Sequence, residues 1–143
     1  MATILVVEDD KNQRLLYEQE LKLEGYEVVT ASDGKDALEK IQEQLPDLII
    51  MDINMPKMDG IETMGRILGK NNEIPVIINT AYSNYKDNFM SWAADAYIVK
   101  SSDLSELKNT VKEVLAKKAK DSWISVNESE FSVSLALSQV ISN

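Results

Sequence analysis

The 143 residues include no cysteine and no histidine. Without cysteine there can be no disulfide, no thiolate nucleophile and no ordinary structural zinc site. Without histidine there is no imidazole base, and the chain cannot carry phosphate on an imidazole of its own. Chemistry is left to carboxylates, hydroxyls, lysines and a hard cation. Positive charge is also scarce, with 15 Lys and Arg against 24 Asp and Glu, a formal charge of -9 and a pI near 4.5. Such a surface is repelled by nucleic-acid backbones and anionic membranes, so neither is an expected partner. No apolar run is long enough to cross a bilayer. Residues 1–10 turn acidic too early for a signal peptide, and a cytoplasmic location follows by default. The hydrophobic content of 44% is nevertheless that of an ordinary globular chain, so disorder is not expected. The length suits one domain with its own core.

Short apolar runs alternate with longer amphipathic segments. Ile4-Leu5-Val6-Val7, Leu48-Ile49-Ile50-Met51, Val76-Ile77-Ile78 and Ala96-Tyr97-Ile98-Val99 read as strands buried on both faces. Val28-Val29 is weaker and suggests a strand nearer the sheet edge. A first helix is expected between Lys11 and Glu24, ended by Gly25. Ala37, Leu38, Ile41 and Leu45 share a helix face behind Ser32 as N-cap, and Pro46 limits continuation. Ile61, Met64 and Leu68 form a stripe after Asp59-Gly60. Leu104, Leu107, Val111, Val114 and Leu115 form the longest, with Asp103 and Glu106 at capping-box spacing. Five strand–helix alternations predict an α/β fold with a parallel sheet covered by helices on both faces. The domain is expected to occupy residues 1–120, closed by Lys117-Lys118-Ala119-Lys120, with a separate tail over 121–143.

The unusual polar residues fall at one kind of place. Glu8, Asp9 and Asp10 follow the first strand, Asp52 the third, Thr80 the fourth and Lys100 the fifth. In an open α/β sheet the carboxyl ends of the strands share one edge, where ligands bind beside the topological switch point. Carboxylates gathered there must take up protons or hold a cation. An oxygen-only donor set favours Mg²⁺ or Ca²⁺ over zinc. A nearby lysine and hydroxyl could hold phosphoryl oxygens, and an aspartate can itself be the nucleophile that accepts a phosphoryl group.

Segments 4–10 with Arg14, 46–60, 75–81 and 94–100 resemble the receiver domain of bacterial response regulators. They carry the acidic pair, the Asp52-x-x-Met55-Pro56-x-Met58-Asp59-Gly60 motif and the late Lys100. Each piece alone is a weak signal, whereas the combination over about residues 1–120 is specific. The resemblance implies a five-stranded, doubly wound, flavodoxin-like (βα)5 fold with a C-terminal extension. It implies that Asp52 accepts a phosphoryl group from a sensor histidine kinase or phosphotransfer protein. Asp9, Asp52 and the Asn54 backbone carbonyl would bind Mg²⁺ directly, with Glu8 acting through water and Asp10 peripheral. Lys100 would pair with a phosphoryl oxygen, Thr80 would swing its hydroxyl to the new group, and Tyr97 would turn inward behind it. Ala81 would leave room for the incoming group, and Asn54 and Tyr82 would tune the phosphoryl lifetime. The output would be a conformational switch read by a downstream protein. On this reading the chain is a phosphoacceptor that assists its own phosphorylation and dephosphorylation rather than an enzyme acting on another substrate. Two features depart from relatives. Ser101 stands where most have proline after the lysine, and a cis peptide without proline would cost about 3 kcal/mol. The Thr80–Lys100 interval is about two residues short, which predicts a short or reshaped fourth helix.

Taken singly, these residues have plainer readings. Acidic triplets are commonly solvated turns, Asp52 could cap a helix or turn, and Tyr97 alone reads as core. The main alternative for the whole is a receiver-like fold that serves only for docking or dimerisation. A Mg²⁺-dependent hydrolase with an aspartyl intermediate would need a cap domain, for which this chain has no room. The tail carries Trp123, Ile124, Val126, Phe131, Val133, Leu135, Leu137, Val140 and Ile141, more apolar surface than a linker needs. Asn127 with Glu130 and Val126 with Phe131 fit a capping box and a hydrophobic staple. A helix that docks or forms a homodimer is therefore expected, against a rival strand pattern over 131–138.

Overall fold

The computed structural model describes residues 1–53, 60–70, 73–84, 94–121 and 123. The elements are β1 (Thr3–Val7), α1 (Lys11–Leu23), β2 (Glu27–Ala31), α2 (Gly34–Glu43), β3 (Leu48–Met51), α3 (Gly60–Lys70), β4 (Val76–Thr80), β5 (Ala96–Val99) and α4, residues 105–121. All five strands are parallel, in the order β2-β1-β3-β4-β5. The chain leaves β1 to one side for β2, then returns to the other side for β3. The topological switch point thus lies between β1 and β3.

β1, β3 and β4 are buried throughout, as their unbroken apolar runs require of central strands, while β2 at the edge is only partly covered. Alternation across the pleat sends successive side chains to opposite faces. Leu5, Val7, Ile49, Met51, Val76, Ile78 and Tyr97 join one core, covered by Ala37 and Ile41 of α2 and Ile67 of α3. Ile4, Val6, Leu48, Ile50, Ile77 and Ile98 join the other, covered by Tyr17 and Leu21 of α1 and Leu107 and Val111 of α4.

The helix ends show which local signals decide. Asp10 caps α1, its carboxylate accepting from Gln13 N. Gly25 ends it at φ 97°, a left-handed conformation that favours glycine. Gly25 N and Tyr26 N close back on the Lys22 and Leu21 carbonyls, as in a Schellman motif. The expected N-cap of α2 is corrected: Asp33, not Ser32, accepts from Asp36 N at 2.8 Å, while Ser32 N donates to the Asp36 carboxylate. α2 stops at Glu43, so Leu45 lies beyond its apolar stripe and is 60% exposed. In α3 the buried side chains described are Thr63 and Ile67; those of Ile61, Met64 and Leu68 lie outside the described residues. Before α4, Asp103 accepts from Ser105 N as a cap should. Its own N–H, however, goes to Ser101 Oγ, where a capping box would use Glu106. α4 runs past Lys120, and Trp123 is exposed. The expected tail helix and the segment expected to be a short fourth helix lie outside the described residues. Peptide bonds among the described residues are trans, that between Lys100 and Ser101 included.

Candidate functional site

Register and pleat together assemble the site. Val7 pairs with Met51 and Met51 with Ile78, so the next residues, Glu8, Asp52 and Asn79, form one lateral row across β1, β3 and β4. Two residues after Ile98, Lys100 returns to the same face, the one covered by α1 and α4. Thr80 and Tyr97 have the opposite parity and belong to the face covered by α2 and α3. The backbone ties the two sets together, since Lys100 N donates to the Thr80 carbonyl at 2.7 Å.

Carboxylate oxygens of Glu8, Asp9 and Asp52 all lie within 4.8 Å of one another. Glu8 is 1% and Asp52 7% exposed, whereas Asp9 is open to solvent. Lys100 Nζ donates to Glu8 Oε1 at 2.6 Å and to Asp52 Oδ2 at 2.7 Å. One ammonium cannot neutralise three carboxylates. Burial pushes the Glu8 carboxyl up from 4.5 to about 7, with Lys100 pulling it down and the Asp52 charge adding to the rise. Burial by itself would lower the Lys100 ammonium, but its hydrogen bonds to Asp52 and Glu8 outweigh that, and its pKa is raised. Glu8 Oε2 is buried without a hydrogen-bond partner. A surplus of negative charge, an unmet inner oxygen, oxygen-only donors and one solvent-open carboxylate fit a hydrated hard dication such as Mg²⁺.

Arg14 reaches back from α1 to donate to the Glu8 carbonyl at 2.8 Å and the Asp9 carbonyl at 3.3 Å. The turn that aims the acidic pair is therefore clamped. Asp10 points away into its cap and is not in the cluster. Behind β4, Tyr82 N lies 3.5 Å from Thr80 Oγ1, and the Tyr97 hydroxyl donates to the Tyr82 carbonyl. Tyr97 is 9% exposed, so it lies inside. Ala81 is exposed beside Thr80, and Asn54 lies outside the described residues. Sequence reasoning missed two polar residues under the cluster, Tyr17 and Asn79, both buried. The signal was one amide in the otherwise apolar run Val76-Ile77-Ile78-Asn79.

Residues 4–112 match the response regulator receiver domain family. The chain is 38% identical over 117 residues to the transcriptional regulatory protein PrrA of Mycobacterium bovis, covering 80% of this chain and 50% of PrrA. It is 37% identical over 129 residues to the response regulator ArlR of Staphylococcus aureus, covering 89% of this chain and 58% of ArlR. The chain thus spans about half the length of the curated relatives it matches. Among solved structures, it is similar to the response regulator TrrA from Thermotoga maritima in complex with Mg²⁺-BeF. That match has 47% identity and a TM-score of 0.75, covering 79% of this chain and 98% of TrrA. TrrA in complex with the histidine kinase ThkA matches at 47% identity and a TM-score of 0.74, covering 80% and 99%.

Proposed function

Since this chain belongs to the response regulator receiver domain family, we propose that it accepts a phosphoryl group on Asp52 from a histidine kinase or phosphotransfer protein, with Mg²⁺, and signals by protein contact. The observation that carries this is the buried Glu8–Asp52 pair bridged by Lys100, with Asp9 completing the carboxylate cluster at the switch point.

In the transfer, a carboxylate oxygen of Asp52 forms a bond to phosphorus as the bond to the donor's imidazole nitrogen breaks. The electron pair of that bond leaves with the imidazole. Glu8, Asp9 and Asp52 would hold Mg²⁺, with the Asn54 carbonyl as a further donor. When bound, the ion supplies positive charge against the phosphoryl oxygens. Lys100 already donates to Asp52 and can shift one donor to a phosphoryl oxygen without leaving the site. This is catalysis by position and charge, with no proton-transfer base required.

The switch would use the other face of β4. The Thr80 hydroxyl is held by one long contact, from Tyr82 N. A new phosphoryl group offers it a charged acceptor, a stronger hydrogen bond. Turning toward that group removes the tie to Tyr82, whose carbonyl is the acceptor for Tyr97. Only the phosphorylated state has the new contact, so phosphorylation shifts the population. We place the action in the cytoplasm; no helix among the described residues is long and apolar enough to cross a membrane. Residues 121–143 are proposed to dock on this domain or on a second copy. Treatment with acetyl phosphate and Mg²⁺ should add one acid-labile phosphoryl group, read by intact-protein mass spectrometry. Asp52→Asn should abolish it. Equal labelling of both proteins would overturn the assignment, and labelling of neither would favour a docking module without phosphotransfer.

A further inference from the structure

Asn79 is 4% exposed in the interior of a parallel sheet, preceded along β4 by Ile77 and Ile78 and followed by Thr80. An apolar residue there would avoid the cost of burying an amide. Asn79 faces α1 and α4, in the same lateral row as Glu8 and Asp52, on strands spaced roughly 4.8 Å apart. Tyr17 of α1, 5% exposed, lines the same crevice as Asn79, with its hydroxyl near the carboxamide. The Tyr17 hydroxyl is within electrostatic reach of Lys100, Glu8 and Asp52. Glu8, Tyr17, Asp52 and Asn79 wall a narrow crevice that leaves no room for a water. Side chains lining the crevice are the available donors to the unmet Glu8 Oε2. One turn along α1 from Tyr17, Gln13 Oε1 is buried without a partner, as is Glu8 Oε2. The polar atoms under the cluster are thus set apart from the apolar core below them.

We propose that Asn79 and Tyr17 are positioning residues for the acid pair, a polar tier under Glu8 and Asp52 that can meet the unpartnered inner oxygen of Glu8 and hold the carboxylates for Mg²⁺ and phosphoryl acceptance. The Asn79 carboxamide carries N–H donors in the row that holds the two carboxylates, and Tyr17 lines the crevice beside it. Replacing the pair with apolar residues would suit the core and unsettle the site. The inference rests on the Mg²⁺-dependent phosphoacceptor reading given above.

The test uses the full chain and the variants Asn79→Leu, Tyr17→Phe and their double, with urea unfolding, Mg²⁺ calorimetry and labelling by acetyl phosphate. Asn79→Leu should be at least as stable as the parent, yet bind Mg²⁺ about 10-fold more weakly, the loss typical of removing a partner of a metal-binding carboxylate. Labelling should slow in step. Tyr17→Phe should weaken binding less, and the double variant should resemble Asn79→Leu alone, because the two residues act as one unit. A merely structural pair would change stability and leave Mg²⁺ affinity alone; parent-like affinity in a folded Asn79→Leu overturns the proposal. If that variant does not fold, Tyr17→Phe, which loses only a hydroxyl, decides by the same criterion. A parent that binds no Mg²⁺ would overturn the phosphoacceptor reading and this inference together. A parent that binds it, with unaffected variants, removes the inference alone.

Discussion

Lys100 offers the sharpest perturbation. Its side chain is 16% exposed, and those of Glu8 and Asp52 are 2% and 8% exposed. Replacing it with methionine keeps most of the stem and removes the only positive charge bonded to either carboxylate among the described residues. Breaking a buried pair from one side typically costs about 3–5 kcal/mol, because the remaining charge stays buried without a partner. Here the stranded group has an escape, since Glu8 can take up a proton. In the parent its pKa rises from 4.5 unfolded to about 7 folded. The folded state therefore holds more protons across that window, and the stability Glu8 contributes is fully present below about pH 4.5 and lost as pH rises through 7. The loss amounts to roughly 3 kcal/mol by linkage. Without Lys100 the folded pKa must rise further, so the decline continues above pH 7. Urea unfolding in Mg²⁺-free buffer should show Lys100→Met destabilised by about 3 kcal/mol at pH 8 and clearly less at pH 6. Added Mg²⁺ should restore more stability to the variant than it gives the parent, since it replaces the missing charge. Equal destabilisation at both pH values, or a variant as stable as the parent at pH 8, would refute the reasoning.

Asp9→Asn should weaken Mg²⁺ binding far more than Asp10→Asn. Asp9 contributes a carboxylate to the cluster, while Asp10 is spent on the α1 cap; calorimetry on both variants checks the register, and equal losses would mean it is misread by one residue. Asp10→Ala should instead cost about 1 kcal/mol in urea unfolding, the usual worth of an N-cap. Thr80→Ala should still accept phosphate but lose much of its response to beryllofluoride in amide NMR spectra; a full parental response would remove Thr80 from the switch. Deleting residues 121–143 should leave labelling at Asp52 intact and change either the mass by light scattering or the melting temperature. If neither changes and the tail amides have random-coil shifts, the tail does not dock.

Much of this was legible in the sequence, and the reasons are specific. The strands could be placed because Leu48-Ile49-Ile50-Met51 and its counterparts are unbroken apolar runs, which only a strand covered on both faces needs. Glu8, Asp9, Asp52 and Lys100 could be grouped because parallel strands bring their carboxyl ends to one edge whatever their distance in sequence. What failed was local. The α2 cap moved from Ser32 to Asp33 because the carboxylate one residue later is the one that reaches Asp36 N. Leu45 continues the apolar period beyond the point where Gln44 has already turned extended. The Arg14 clamp and the Tyr17–Asn79 tier were hidden for a different reason: each joins elements through a single side chain, and no periodicity reports such a contact.

The pleat also explains how one edge can serve both chemistry and signalling. Glu8, Asp52 and Lys100 belong to the α1 and α4 face, while Thr80 and Tyr97 belong to the α2 and α3 face. Adjacent residues on a strand point to opposite faces, so Asn79 and Thr80 are consecutive yet serve different sides. Asn79 lies under the carboxylates in a crevice that admits no water, where packing favours a fixed arrangement. The Thr80 hydroxyl has one long hydrogen bond, with the exposed Ala81 and Tyr82 beyond it, while its backbone is held by Lys100 N. On the function proposed above, a phosphoryl group at Asp52 would meet a packed floor on one side of β4 and a loosely held hydroxyl on the other. In the proposed switch Thr80 would lead through Tyr82 to Tyr97.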